Sequence, residues 1–119
     1  VVFKSGWGKR DPETMDNLDD QGNRHFPGWS KESLEFLIDQ RNIASIGHET
    51  SDTEAPVTSG QTSYEVEYYM LDQDRIQLEM LKNVELCPPV GAIAFCTFPK
   101  VKDGTGYPAR VFALCPKAE

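Results

Sequence analysis

The two histidines of this 119-residue chain limit any chemistry that needs an imidazole. His25 lies in a polar stretch without metal-ligand spacing, which is typical of a solvated loop side chain. His48 directly follows a short apolar run and precedes Glu49 in a polar segment. An imidazole there can act as a general base, a ligand or a hydrogen-bonded loop anchor, and spacing alone does not separate these roles.

Two carboxylates stand in partly apolar patterns. Glu79 follows Ile76 and Leu78 in a pattern of period two, so its carboxylate must be solvated, paired or bound to a metal. Periodicity alone favours a strand residue on the wet face that pairs with Arg75. Glu67 lies on the preceding predicted helix, where a solvated helical face is the usual outcome.

Nucleophilic catalysis by serine or cysteine has no support in the motifs. The chain contains no G-x-S-x-G, Walker or G-x-G-x-x-G sequence. Its three cysteines form no C-x-x-C pair and no zinc-finger spacing, and Cys96 lies in an apolar run that predicts core packing. This cysteine usage favours a reducing, cytoplasmic location.

Charge and hydropathy exclude two classes of partner. The formal net charge of −7 repels a phosphate backbone, so we expect no nucleic-acid partner. The longest nearly unbroken apolar run covers residues 90–98, whereas a membrane-spanning helix needs about 20 apolar residues. We therefore expect no membrane association.

The first half of the chain predicts a βαβ unit. Residues 1–3 are an apolar strand, and residues 4–24 are a polar surface loop without a packed element. Ser30 has the position of an N-cap before a helix over residues 31–41. Residues 43–46 then form a short buried strand, parallel to the first strand if the helix is a crossover.

The second half predicts a further helix, a strand and a hairpin. The polar segment 48–62 leaves the carboxyl end of a strand, where α/β sheets bind ligands. A helix is predicted at 63–71 and an alternating strand at 76–80. Runs 90–98 and 109–115 flank a glycine-rich turn and predict an antiparallel hairpin.

Four sequence blocks together resemble the cyclase family of metal-dependent hydrolases, which includes the kynurenine formamidases. The blocks are VVFKSGW at the start, FPGWSKESLEFLIDQRNIASIGHETSDTEAP, EYYMLDQDRIQLEMLKNVELCPP, and VGAIAFCTFPKVKDGTGYPARVFAL. The resemblance covers nearly the whole chain. It implies an α/β structure, the swivelling β/β/α fold, with a mixed sheet and flanking helices.

The resemblance also implies that this chain is the C-terminal half of the family fold. The family's N-terminal motif H-x-G-T-H-x-D-x-P-x-H does not occur here, and the chain opens on apolar residues, as if within a core. We expect residues 1–119 to be a single-domain portion. Most ligands of the implied divalent metal, manganese or zinc, would then lie outside this chain, and the chain alone would be inactive.

The implied activity is hydrolysis of a small amide, lactam or lactone by metal-activated water. Glu79 matches the family's C-terminal metal carboxylate, and Glu67 stands where formamidases have a ligand histidine. This exchange retains a ligand but favours harder ions such as manganese or magnesium. His48 and Glu49 differ from the formamidase pattern and are the predicted catalytic residues, with His48 replacing the lost imidazole.

The predicted substrate is a small molecule with a flat ring. Trp7, Phe26 and Trp29 flank the long loop and can line such a substrate, although they can equally attach the loop to the domain. The resemblance implies a homo-oligomer, either a dimer or a tetramer. The alternative function is a non-catalytic relative that binds small molecules or acts as a scaffold, and it rests on the absent histidine at position 67.

Overall fold

The computed structural model describes residues 1–56 and 63–117, which form two compact units. Residues 1–84 make up the first unit and residues 85–119 the second. Each unit has its own sheet. The first contains the predicted site residues and is described first.

A three-stranded parallel sheet organises the first unit. Its strands are β1 (Val2–Phe3), β2 (Ser45–His48) and β3 (Ile76–Leu78), with β2 in the centre. Phe3 is opposite His48, and Gly47 is opposite Leu78. The predicted parallel pairing is confirmed, and the carboxyl ends of all three strands meet at one edge.

The first crossover contains helix α1 (Lys31–Glu35), which continues as one π-helical turn, Phe36–Gln40. Ser30 caps α1, because its Oγ accepts a hydrogen bond from the backbone N–H of Ser33 at 3.2 Å. Asn42 follows with a φ of 46° and ends the helical backbone. The predicted helix is therefore confirmed, with a wider last turn than an α-helix has.

The second crossover contains helix α2 (Glu65–Asp72), which packs with α1 against one face of the sheet. The shared core consists of five buried apolar side chains: Leu34, Ile38, Ile46, Val66 and Met70. Burial of such side chains contributes about 1.5–3 kcal/mol each and is the main force that holds the helices on the sheet.

Two predicted strand boundaries and one predicted loop are wrong. Strand β2 occupies residues 45–48 and not 43–46, because Ile43 donates its backbone N–H to Leu37 instead of a strand. Strand β3 ends at Leu78, so Glu79 lies outside it. The loop predicted to lack packed elements contains two 3₁₀ turns and the buried side chain of Met15.

The second unit is built on an antiparallel hairpin of β4 (Ile93–Thr97) and β5 (Arg110–Leu114). Phe95 and Phe112 are opposite each other, with parallel rings whose centroids are 5.0 Å apart. The hairpin prediction is confirmed. Across the described parts of both units, every helix is too short or too polar to cross a bilayer.

Candidate functional site

The candidate site is the carboxyl edge of the parallel sheet. Backbone hydrogen bonds extend the sheet beyond the strands: Met80 donates to the carbonyl of Thr50, and Leu81 donates to the carbonyl of His48, both at 3.0 Å. Glu79 directly follows the last register pair of β2 and β3. These bonds bring the segment around Glu79 next to the segment that begins at His48.

The carboxylate of Glu49 holds the turn that follows β1. Its Oε2 accepts hydrogen bonds from Ser5 Oγ at 2.8 Å, from the Gly6 N–H at 2.6 Å and from the Trp7 N–H at 3.2 Å. Gly6 has a φ of 78°, a left-handed conformation that turns its N–H and that of Trp7 toward one acceptor. Glu49 is buried, so its carboxylate positions a turn in this structure.

His48 is fully buried beside it. Neither ring nitrogen has a hydrogen-bond partner among residues 1–56 and 63–117. Burial without a partner penalises the charged imidazolium and lowers the pKa of His48 to about 4. The ring is therefore neutral at pH 7, which suits a proton acceptor or hydrogen-bonding group better than a proton donor.

Carboxylates converge at the edge. Partial desolvation is the leading cause that raises the pKa of Glu79 to about 7, and the charges of Glu67 and Asp52 add to it. Glu79 is an exposed residue, so this desolvation acts on a side chain that solvent still reaches. Desolvation, Asp52 and Glu54 likewise raise the pKa of Glu67, against a hydrogen bond from Gln77.

Arg75, the partner predicted for Glu79 from periodicity, is directed elsewhere. Its Nη2 donates to Asn42 Oδ1 at 3.2 Å. The groups that influence Glu79 are carboxylates from α2 and from the loop after β2, and not the arginine. The interpretation of Glu79 as one half of a surface ion pair is therefore wrong.

Glu54 and Arg24 organise the charges around these carboxylates. The buried Glu54 accepts from the Glu67 N–H at 3.1 Å and thereby stabilises the positive N-terminus of α2. Arg24 Nη1 lies 2.8 Å from Asp52 Oδ2, while its Nη2 contacts Asp16 at 2.9 Å. Arg24 thus connects the long loop to the segment that follows β2.

The three aromatic residues predicted to line a substrate all make packing contacts. Trp7 donates its indole N–H to the Met15 carbonyl at 2.8 Å. Phe26 is buried under the guanidinium of Arg24. Trp29 packs against the helical core, and its ring centroid lies 5.4 Å from that of Phe3. The Trp7–Met15 bond lies within the loop itself, whereas the buried Phe26 and the core contact of Trp29 hold the residues that follow the loop.

The chain is similar to known proteins of one family. Residues 1–55 match the family described as Putative cyclase. The chain is 32% identical over 121 residues to an isatin hydrolase of Roseibium aggregatum, a match that spans 99% of this chain and 45% of the relative. The chain carries part of the cyclase-family fold.

Solved structures agree with this family assignment. An isatin hydrolase from Labrenzia aggregata, bound to benzyl benzoate, matches with a TM-score of 0.85 and 32% identity over 97% of this chain. A Ralstonia solanacearum isatin hydrolase gives a TM-score of 0.81 at 31% identity. The predicted cyclase-family fold is confirmed, and the chain covers 45% of each of these structures.

The family resemblance implies a bound metal. The described residues include oxygen donors that suit a divalent cation, but too few of them lie together to hold one. The carboxylates of Glu67 and Glu79 are oxygen donors whose mutual repulsion a hard cation would relieve. Within residues 1–56 and 63–117, however, no group of three or more His, Cys, Asp or Glu side chains is arranged to hold an ion. These residues do not form a complete site by themselves.

Several residues of this cyclase-family edge have no signal in the sequence. Ser5 and Glu49 are 44 residues apart, and the bond between them depends on the pairing of β1 with β2. Arg24 and Asp52 are likewise distant in the chain. Parallel pairing of β1 and β2 predicted from the sequence would have placed these segments near each other. It would not have predicted which side chains form hydrogen bonds or ion pairs.

Proposed function

We propose that this chain is part of a hydrolase that opens a small amide, lactam or lactone with water activated by a divalent cation. The similarity to isatin hydrolases supports the reaction class. One of those structures holds the product analogue thioisatinate and another holds benzyl benzoate, both small aromatic molecules. A compact aromatic substrate with a hydrolysable carbonyl is the corresponding proposal for this chain.

The observation that supports the proposal best is the pair formed by Glu67 and Glu79 at the carboxyl edge. Burial raises the pKa of both side chains, and the charge of Glu67 raises the pKa of Glu79 further, so the folded chain holds these carboxylates at an electrostatic cost. When bound, a divalent cation supplies positive charge that lowers the pKa of water and polarises a carbonyl. In this proposal the two carboxylates are donors that complete a site with residues outside this chain.

The residues of this chain would then act in different ways. Glu79, with a pKa of about 7, can accept a proton near neutral pH or donate an oxygen ligand. Neutral His48 can accept a hydrogen bond or a proton once substrate or solvent reaches it. Glu49 acts through the Ser5–Trp7 turn that it holds, and this turn bounds the edge on the β1 side.

The long loop supplies the wall of the proposed site. The hydrogen bond from the Trp7 N–H to Glu49 anchors its start, and Arg24 fixes its last part to Asp52. A loop anchored at several points holds a substrate-binding surface with little loss of entropy on binding. We retain the expectation of a homo-oligomer from the family resemblance, and the number of copies is measured directly by light scattering.

The test is hydrolysis of isatin, used as the probe substrate, by the protein in its complete length. Exhaustive chelation with verified metal removal should abolish turnover, and manganese or zinc should restore it. Glu79→Gln should lower kcat/KM by roughly 100-fold or more if the carboxylate is a donor. Glu13→Gln, at an exposed position of a 3₁₀ turn, is the matched control and should leave kcat/KM unchanged.

Two results separate the alternatives. Full turnover after verified metal removal would refute the cation-dependent mechanism. Binding of isatin or isatinate without turnover, in the presence of metal, would instead support the non-catalytic alternative, in which the edge holds a small molecule.

A further inference from the structure

The dipeptide Thr53–Glu54 contacts both elements that carry the proposed donor carboxylates. Both of its residues are buried, with 0% and 4% of their surfaces exposed. Thr53 Oγ1 donates to Gln77 Oε1 of β3 at 2.7 Å. Glu54 Oε2 accepts from the Glu67 N–H of α2 at 3.1 Å. The dipeptide is therefore bonded to the strand that leads to Glu79 and to the helical turn that contains Glu67.

The backbone of this dipeptide is itself held in place. The Trp29 N–H donates to the Thr53 carbonyl at 2.7 Å, and Trp29 pairs with Glu54 in an isolated parallel bridge. A Cβ on Gly28 would overlap the backbone of Glu54 and Ala55, so the chain before α1 lies directly against the dipeptide. Because Trp29 packs against the helical core, these contacts attach the dipeptide to the scaffold independently of the two carboxylates.

Glu54 holds the start of α2 from outside the helix. The N-cap residue is Tyr64, which has a φ of 58° and makes no capping hydrogen bond with its side chain. Ser63 Oγ accepts from the Glu65 N–H at 3.3 Å and donates to Glu54 Oε1 at 3.0 Å. A serine or asparagine at position 64 would cap the helix without the burial of a carboxylate. The buried Glu54 instead couples the position of Glu67 to the segment that follows β2.

We propose that Thr53 and Glu54 are positioning residues that set the separation of Glu67 and Glu79 for one shared cation, an inference that rests on the proposed function. The two carboxylates come from different elements, so their separation depends on how α2 is held relative to the end of β3. Two hydrogen bonds from one buried dipeptide fix this relation. Ligands that are held in place before binding lose less entropy when the cation binds, so affinity increases.

Geometry and charge can be separated at these two positions. Thr53 is uncharged, so removal of its hydroxyl group alters the affinity for a cation through geometry alone. Glu54 adds a negative charge, and its two oxygens accept from the Ser63 hydroxyl and the Glu67 N–H. Aspartate at this position keeps the charge but is one methylene shorter, so its carboxylate does not reach both donors at hydrogen-bond distance. A loss of affinity in Glu54→Asp therefore reports position and not charge.

The experiment measures Mn²⁺ binding to the metal-free protein in its complete length, by electron paramagnetic resonance of the free ion. Thr53→Val keeps the shape of the side chain, removes the hydroxyl group and should weaken Mn²⁺ binding by about tenfold or more. Thr53→Ser keeps the hydroxyl group and should retain the Mn²⁺ affinity of the unmodified protein, although loss of a buried methyl group lowers its urea midpoint. Ser33→Ala, which removes a 2.7 Å hydroxyl bond on α1, is the matched control and should leave Mn²⁺ affinity unchanged.

Glu54→Asp is the second variant and tests the bond to α2. It should weaken Mn²⁺ binding by about tenfold or more, like Thr53→Val. In the metal-free protein it should also accelerate hydrogen exchange of the Glu67 N–H, because this group loses its acceptor.

The outcomes distinguish this inference from the proposed function. Equal Mn²⁺ affinity in Thr53→Val, Glu54→Asp and the unmodified protein would overturn the positioning role and leave the proposed function intact. Mn²⁺ affinity that follows the urea midpoint, with Thr53→Ser weakened as much as Thr53→Val, would also overturn it. No Mn²⁺ binding by the unmodified protein would overturn the proposed function and this inference together.

Discussion

Replacing His48 by leucine should make the chain more resistant to acid. His48 is fully buried on β2, and its two ring nitrogens lack partners within the described part of the chain. Protonation of such a ring requires either a buried charge or unfolding. Leucine has a similar volume, cannot titrate and leaves no polar atom unsatisfied, so at pH 7.5 the substitution should be neutral or stabilising.

The magnitude follows from the pKa of His48, which falls from 6.5 to about 4 on folding. At 1.36 kcal/mol per pKa unit, this difference corresponds to about 3 kcal/mol. Between pH 6.5 and pH 4 the unfolded chain binds the proton and the folded chain does not. The free energy of unfolding is therefore complete above pH 6.5 and decreases as pH falls through this window.

Glu79 changes stability in the opposite direction over part of the same window. Its pKa rises from 4.5 to about 7 on folding, so the folded state binds more protons between these values and loses stability as pH increases. The profile of the unmodified chain is therefore shallower than His48 alone would give. The difference between the unmodified chain and His48→Leu isolates the histidine.

The assay is urea denaturation, followed by the fluorescence of Trp7 and Trp29, at half-unit intervals from pH 4 to pH 7.5. The free energy of unfolding of His48→Leu minus that of the unmodified chain should grow by about 3 kcal/mol toward pH 4. His25→Gln, which removes the exposed histidine that lies 3.0 Å from Asp19, is the comparison variant. Parallel profiles for His48→Leu and the unmodified chain would refute the reasoning, because they would show that His48 titrates alike in both states.

Three further substitutions test the edge by urea denaturation of the metal-free chain. Glu79→Gln should stabilise the chain at pH 8 and not at pH 4, because the glutamate is charged in the folded state only at the higher pH; equal effects at both pH values would contradict the raised pKa. Ser5→Ala removes a hydrogen bond to a buried carboxylate and should lower the free energy of unfolding by about 1.5–3 kcal/mol, and an unchanged midpoint would show that this bond contributes nothing. Gly8→Ala places a Cβ 2.7 Å from the Leu81 carbonyl oxygen and should cost about 1–3 kcal/mol, whereas Gly106→Ala, which meets no atom within 4 Å, should cost much less.

The sequence predicted the order of the elements well because their signals are local. Ser30 capped its helix as expected, and the alternating runs on both sides of the glycine-rich turn became β4 and β5. The position of β2 was less predictable. Its hydrophobic run marks burial, but the pairing with β1 includes Gly47 and His48, which no hydrophobic pattern selects.

The sequence named residues of the candidate site but did not predict their burial or their hydrogen bonds. Glu79 and His48 lie at the predicted edge, but the burial of His48 and Glu49 has no signal in a polar segment. The N–H groups that hold Glu49 belong to the backbone of Gly6 and Trp7, and backbone donors leave no mark in the sequence. Only the fold brings them within reach of a carboxylate more than 40 residues away.

The carboxylates of the edge lower the stability of the folded chain. Arg24 compensates Asp52 directly, whereas desolvation and neighbouring carboxylates raise the pKa values of both Glu67 and Glu79. A raised carboxylate pKa means that the charged form destabilises the folded state at neutral pH, and uncharged side chains at these positions would remove that cost. A bound cation would instead convert the same repulsion into affinity, since it interacts favourably with each carboxylate and lowers both pKa values. This electrostatic cost supports the proposal that the two glutamates are donors to a cation.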